Sequence, residues 1–315
     1  MMECIDNGQE GCPCVLAESG DCLVCSRVPG GRGTCDNCNW QGTCVYMLYE
    51  QNGCRVIQER QNRELPIDRI RSYGPNLKVF VLEADKGYCQ KAQRPGAFVF
   101  VKSADDQDWF GAPISVLKAE PDRNRLHLAV CACGPKTSRI LQRTENLHVR
   151  GIYYNALAGQ NSLLMDPEET FVFAKGVALA PLRNYLDSGK SSRRLLQNLR
   201  AIVDIEKVGM DFFLDYFGDL PVGAVQIRDF AREGLCAIEE QRHLQEQCLA
   251  RSRVNVLALT SPYYVQRVRE IVGKDKGILR PTEGNMCCGE GICGACTQTN
   301  AQGQIIRNCK VRKAK

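Results

Sequence analysis

Short apolar runs punctuated by Gly, Pro, Asp and Asn fill residues 64 to 160, and a different grammar takes over from 165. In the first stretch, the runs at 78–84, 97–102, 113–119 and 126–133 are strand-sized and bounded by turn formers. That spacing predicts an antiparallel barrel or sandwich. In the second, TFVFAKGVALAP is a buried strand entering a Gly-containing turn, and PLRNYLDSG opens with the proline a first helical turn tolerates. AIVDIE, GAVQIR and VNVLALTSP follow as strands, DFAREGLCAIEEQRHLQEQCLARSR and YYVQRVREIVG as helices. The alternation predicts a parallel sheet with flanking helices over 165–275. Residues 1–60 and 278–315 fit neither pattern, being rich in Cys and Gly and too poor in aliphatic side chains to fold on apolar burial alone. The expectation is a multidomain α and β protein with a Cys-rich N-terminal domain, an antiparallel β-barrel, a parallel α/β domain and a C-terminal Cys-rich loop.

Composition changes the picture at one residue type. The chain has 315 residues, 44% hydrophobic and 24% charged, the balance of a globular protein, but it carries 19 cysteines. Nine lie in the first 54 residues and five between Cys287 and Cys309. A chain this long needs no disulfide framework, and its start shows no apolar leader, so the expectation is metal binding in a reducing, cytoplasmic compartment. No run approaches the roughly 18 apolar residues of a membrane span. The net charge of +5 invites a nucleic-acid reading through SSRRLLQNLR and the tail KVRKAK. Leu195, Leu196 and Leu199 in the first have the spacing of a solvated helix, and the tail lacks interleaved aromatics, so no nucleic-acid partner is expected.

The segment MCCGEGICGACTQTNAQGQIIRNC sets Cys288, Cys293, Cys296 and Cys309 in a C-x4-C-x2-C pattern with a fourth Cys after twelve residues. This is plant-type [2Fe-2S] spacing. A tight loop must aim its sulfurs at two irons while backbone amides approach, which suits Gly289, Gly291 and Gly294. Zinc knuckles prefer C-x2-C pairs and gain nothing from the x4 step. Cys287 is left over, and its use in place of Cys288 is the alternative pairing.

The same segment resembles the end of the electron-transfer subunits of B-type dihydroorotate dehydrogenases, within the ferredoxin reductase superfamily. The resemblance covers roughly residues 64 to 310 and is specific at the cysteine loop. It implies an FAD-binding barrel, an NAD-binding α/β domain and a C-terminal [2Fe-2S] loop in that order. It further implies flavin contacts at Pro113, Ile114, Ser115 and Val116, in the strand GAPISVLK, and a phosphate-facing turn at Gly134, Thr137 and Ser138. Ala112 stands where the family has an arginine, so a cation for the FAD pyrophosphate must come from elsewhere. On the nicotinamide side Gly176, Ala180 and Pro181 match the family's glycine turn, but Lys175 and Ala178 replace glycines. The late Cys-Gly-Pro turn is represented by Thr260, Ser261 and Pro262. Side chains at those positions argue against productive NAD(P) binding, although Lys175 could hold a phosphate as a point charge.

The N-terminal cysteines contain two C-x2-C pairs, Cys22/Cys25 and Cys35/Cys38, nine residues apart, with Cys12, Cys14, Cys44 and Cys54 in excess of one tetrahedral site. One or two [4Fe-4S] clusters, with sets such as 12, 14, 22, 25 and 35, 38, 44, 54, are weighed against structural zinc. Cys4 is unassigned, and Cys89, Cys131, Cys133, Cys236 and Cys248 read as buried small hydrophobes. Three histidines and no nucleophile motif leave little basis for a hydrolase. The expected protein is an electron-transfer subunit passing electrons between FAD, the [2Fe-2S] cluster and N-terminal clusters to other flavin or iron–sulfur subunits, with ferredoxin a candidate partner. The alternatives are a stand-alone NAD(P)H-oxidising reductase and a zinc-stapled scaffold with a vestigial flavin site.

Overall fold

The computed structural model describes residues 3–28, 30, 35–56, 60–164, 167–188, 198–221, 223–250, 253–273, 275–282, 284–299 and 303–312. They form two units, one running from Arg63 to Thr282 and the other built from both chain ends, up to Asn62 and beyond residue 282. Residues 189–197, most of the basic segment read as a solvated helix, lie outside the described residues, and Leu199 and Arg200 begin a strand.

The larger unit opens with a closed six-stranded antiparallel barrel. Its strands are β1 (Asn62–Tyr73), β2 (Leu77–Glu83), β3 (Phe98–Lys102), β4 (Ala112–Glu120), β5 (Arg125–Cys131) and β6 (Asn146–Tyr153), arranged β1-β2-β5-β4-β3-β6. Helix α1 (Lys86–Ala92), capped by the Asp85 carboxylate accepting from the Tyr88 amide at 2.8 Å, follows β2, and α2 (Pro135–Ile140) follows β5. Side-chain alternation sorts the strands: Phe80, Leu82, Leu126, Leu128 and Val130 fill the barrel, whereas Leu77, Val79 and Ala129 face outward into a second core. Each such buried aliphatic or aromatic side chain contributes about 1.5–3 kcal/mol. The sequence pattern missed β1 and β6. β1 is charged and mostly exposed, so it shows no apolar run.

The second core belongs to a parallel sheet of β7 (Glu169–Lys175), β8 (Leu199–Asp204), β9 (Val225–Ile227) and β10 (Val254–Leu259), in the order β9-β8-β7-β10. Alternate residues feed opposite faces: Val172, Ala174, Ala201 and Val203 pack on α3 (Leu179–Asp187) and α4 (Met210–Phe217). Phe171, Phe173, Ile202 and Val256 pack instead on α5 (Ile238–Leu249) and α6 (Pro262–Val272). The long helical stretch expected over 229–253 is split, because Gly234 takes a left-handed φ of +77° between Phe230–Glu233 and α5. Barrel and sheet share one apolar core, in which Leu117 and Val79 meet α3 residues, and buried Asn184 donates to the Ala92 carbonyl at 2.9 Å.

The chain ends, which the sequence pattern separated, are joined by pairing of Glu3–Cys4 with Val311–Arg312 and by the Ile5 amide donating to the Lys310 carbonyl at 2.7 Å. Short helices at Val15–Ser19 and Val45–Gln51 pack around Cys12, Ala17, Val28 and Val45. A hairpin pairs Thr297–Thr299 with Ile305–Arg307. Among the described residues no helix is long and apolar enough to cross a membrane.

Candidate cofactor sites

The barrel wall divides the proposed flavin contacts by strand period. Ile114 and Val116 point into the barrel core, while Pro113 is exposed and Ser115 half-exposed on the outer face. Only the latter two can meet a ligand lying along the outside of β4. Register brings partners to that face: Phe100 pairs with Pro113 and with Arg150, and Phe98 pairs with Ser115 and with Tyr153. Phe98 and Tyr153 stack at 5.2 Å between centroids. The Arg150 guanidinium lies 4.8 Å from the Phe100 ring centre and 4.6 Å from that of Trp109, and it donates to the Tyr153 hydroxyl. Arg150 is thus a cation two strands from the Ala112 position where the resemblance lacks one, with β3 between. Trp109 is half-exposed and held at a φ of +67°, a strained conformation for a non-glycine residue. The alternation in NLHVRGIYY was the available sequence signal for this face.

The turn at Gly134 is used locally. The Thr137 hydroxyl accepts from the Cys133 amide at 2.9 Å and the Gly134 amide at 3.2 Å, capping α2. Ser138 is exposed. Lys136, on the same turn, donates to the Gly111 carbonyl at 3.2 Å and lies 5.1 Å from the Phe110 ring.

At the carboxyl end of the parallel sheet, strand order reverses between β7 and β10, where an open α/β sheet leaves a crevice. A cavity of about 1080 Å³ occupies it, with Lys175, Gly176, Lys207, Ser261, Tyr264 and Cys131 in its lining. Gly176 holds a left-handed φ of +59°. Ala180 and Pro181 are buried in the packing of α3, and Pro262 is the exposed first residue of α6. Lys175 is ion-paired to Asp204 and lies 3.7 Å from Glu206. Burial opposes the charge of Asp204, but Lys175 and the amides of Phe230 and Glu206, each at 3.1 Å, hold its carboxyl below the usual range. Lys175 therefore balances a buried carboxylate, a role its sequence position did not reveal.

In the unit of chain ends, Cys288, Cys296 and Cys309 are buried and Cys293 is exposed. Cys288 Sγ accepts from the amides of Glu290 at 3.3 Å and Cys293 at 3.5 Å, and Cys296 Sγ from that of Cys309 at 3.4 Å. Hydrogen bonding from Cys309, then from those amides, pulls the Cys288 thiol down to about 4. Gly289, Gly291 and Gly294 all take φ near +73°, which turns the amides inward. Cys287 is only half-buried. Thiolate-stabilising amides at Cys288 and Cys296, in a loop that also carries Cys293 and Cys309, suit the all-thiolate donor set of an iron–sulfur cluster. Among the described residues no group of three or more Cys, His, Asp or Glu side chains is placed to hold a metal ion, so the fit rests on the amides and the spacing of the cysteines.

Beneath this loop lies a buried ionic network that the sequence did not signal, because it ties Asp6 and Arg60 near one chain end to Glu290 and Lys310 near the other. Lys310 donates to Asp6 at 2.6 Å and to Glu290 at 2.9 Å, and Arg60 reaches the same two carboxylates at 2.8 and 2.9 Å. Two cations and two carboxylates balance. Burial disfavours the Lys310 charge, yet Asp6 and Glu290 raise its pKa well above the ordinary lysine value.

Of the N-terminal cysteines, Cys12 is buried and Cys14, Cys22 and Cys25 are half-buried, whereas Cys35, Cys38, Cys44 and Cys54 are exposed. Burial, more than neighbouring Cys14 and Cys22, pushes the Cys12 thiol up to about 12. Cys35 Sγ accepts from Arg27 at 3.1 Å. Cys4 is buried in its short strand, with its thiol raised to about 12 chiefly by burial. Cys89 is buried, Cys236 and Cys248 pack half-buried against the sheet core, but Cys133 is exposed, which corrects its reading as a core residue. It sits past the strand end, where no second layer covers it.

No family model matches the sequence, and no curated protein matches it. Solved structures do. An NADH-dependent reduced ferredoxin-NADP oxidoreductase, described for flavin-based electron bifurcation, aligns with a TM-score of 0.57 at 17% identity over 80% of this chain and 86% of its own. Phthalate dioxygenase reductase, described as a modular structure for electron transfer from pyridine nucleotides to [2Fe-2S], aligns at 0.53 and 13% identity over 80% and 96%. A ferredoxin NADP+ reductase from Neisseria gonorrhoeae with bound FAD and NADP aligns at 0.51 and 13% identity over 70% and 98%. The closed barrel followed by a parallel sheet is therefore the ferredoxin-reductase fold.

Proposed function

We propose that this chain is a flavin- and iron–sulfur-dependent electron-transfer protein, working as a cytoplasmic subunit of a larger redox complex. The observation that carries the reading is the Cys288–Cys309 loop, with amides turned toward its sulfurs, in a chain whose other unit has the ferredoxin-reductase fold. Cys288, Cys293, Cys296 and Cys309 would hold a [2Fe-2S] cluster. FAD would lie on the outer barrel face, against Pro113 and Ser115, with Arg150 and Lys136 supplying positive charge near its phosphates. When bound, FAD couples two-electron to one-electron chemistry. The chain supplies placement: an open strand face to lie on, cations to hold anionic groups and amides to stabilise thiolates. Cys12, Cys14, Cys22 and Cys25 favour one N-terminal site, a [4Fe-4S] cluster or zinc, and exposed Cys35, Cys38, Cys44 and Cys54 a second. The partner would be another flavin or iron–sulfur protein, ferredoxin included.

Anaerobic quantitation of iron, zinc, sulfide and flavin, with a visible spectrum, tests this. Iron and sulfide with a yellow chromophore are expected. Zinc in both Cys-rich regions and no flavin would establish the scaffold reading instead.

The crevice at the sheet switch point supports a second reading, a self-sufficient NAD(P)H-oxidising reductase. Stoichiometric bleaching of the flavin by NADH or NADPH in the isolated protein would favour it. Its weakness is that Lys175 is already paired with Asp204 and that Ser261 stands where the resemblance requires bare backbone.

A further inference from the structure

Cys131 ends β5 on the side of that strand opposite to Leu126, Leu128 and Val130, which fill the barrel. The next residue continues the ladder, with the Ala132 amide donating to the Asn76 carbonyl at 2.8 Å. Cys133 follows just past the strand end and opens onto the same crevice as Cys131. Both line the 1080 Å³ crevice, Cys131 half-buried and Cys133 exposed. Neither belongs to the two Cys-rich chain ends, and the flavin reading gives neither a task.

Alpha carbons two apart in an extended chain are separated by about 6.5–7 Å. Disulfides span up to about 6.8 Å, so a bridge here closes only under strain. A strained bridge is a poor staple and a readily reduced one, so it forms only while the small disulfide is in large excess over its thiol. The Cys133 amide is anchored on the Thr137 hydroxyl at 2.9 Å, so its position is fixed while its thiol stays open to solvent. Lys175 and Lys207 line the crevice together with Glu206 and Asp211, so its charge is balanced and selects no sign of substrate.

We propose that Cys131 and Cys133 form a thiol–disulfide exchange site that takes low-molecular-weight disulfides in the crevice. The exposed Cys133 sulfur attacks one sulfur of the disulfide. The substrate S–S bond breaks, the first thiol leaves with the proton that Cys133 gives up, and a mixed disulfide remains on Cys133. Cys131 then attacks the Cys133 sulfur and expels the second thiol, which carries away the Cys131 proton. The dithiol loses two electrons and two protons and becomes a disulfide, and the substrate becomes two thiols. This requires no bound flavin, so it stands or falls separately from the electron-transfer reading.

The test uses the full chain, reduced and handled anaerobically, freed of reductant, then exposed to a large excess of oxidised glutathione, alkylated and digested with trypsin. Cleavage after Arg125 and Lys136 gives LHLAVCACGPK, whose only cysteines are Cys131 and Cys133. The expected peptide escapes alkylation, is lighter by two hydrogen atoms and regains both alkyl groups after dithiothreitol. C131S should stop at the glutathione adduct on Cys133, and C133S should lose both products. A wild-type peptide that stays doubly alkylated under conditions that oxidise other cysteines of the chain would overturn the proposal. So would a C133S chain that forms the adduct on Cys131 at the wild-type rate.

Discussion

Arg150 and Lys310 are the two side chains whose tasks depend most on where folding puts them. Arg150 faces the outer barrel wall among Phe100, Trp109 and Tyr153, where on the proposed reading it would supply the charge that Ala112 does not. A charge-assisted hydrogen bond contributes about 1.5–3 kcal/mol, so R150A should weaken FAD binding roughly tenfold to a hundredfold, with R150K intermediate. Flavin fluorescence titration of the apoprotein reads this directly. Lys310 is fully buried against Asp6 and Glu290. Removing its charge in K310M leaves two carboxylates facing Arg60 alone, a loss of about 3–5 kcal/mol in denaturant unfolding. K310R should recover part of it.

At the scale of elements, β5 and α4 meet through a titratable pair. His127 on β5 shares a hydrogen with Glu120 at 2.9 Å and with the Tyr216 hydroxyl of α4 at 3.3 Å. Burial pushes its pKa below 6.5, more strongly than Glu120 draws it up. The unfolded chain then binds more protons than the folded one between the folded pKa and 6.5. The contribution is complete above 6.5 and is lost as pH falls through the folded value. Thermal melts of the wild type should show Tm dropping below pH 6.5, and H127Q should flatten that limb. Helix α4 itself escaped the sequence pattern: Phe212, Phe213, Tyr216 and Phe217 crowd one face, and the run DFFLDYF is too short and too aromatic to show a helical period.

The whole molecule combines two ways of holding a chain together. The Arg63–Thr282 unit rests on continuous apolar cores, while the unit of chain ends has a core of only a few side chains around Cys12 and Val45. Metal should therefore stabilise the second unit far more than the first. Treating the metal-loaded protein with a chelator and reductant should expose the segments before Asn62 and after residue 282 to rapid proteolysis and hydrogen exchange. Core amides of β2, β5 and β7 should keep their protection. Equal loss across both units would contradict the division.

How much of this was legible depended on the range of the interaction. Apolar alternation marked four barrel strands and the parallel-sheet strands, because a strand writes its two faces into every second residue. Spacing singled out Cys288, Cys293, Cys296 and Cys309, because all four lie in one short segment. The same alternation, applied to GAPISVLK, would have separated Pro113 and Ser115 from core-facing Ile114 and Val116. Side-chain partnerships between distant strands had no such signature. Arg150 reaches the outer barrel face through the register of β3 with β6, Lys175 answers a carboxylate on the neighbouring strand, and Lys310 meets Asp6 across 304 positions. Cys131 and Cys133 looked like packing in one dimension and proved to share an open crevice in three. Local sequence sets which residues an element can present, through fixed backbone periods. Which of them meet is decided by long-range packing, since desolvation and charge balance are properties of the assembled neighbourhood.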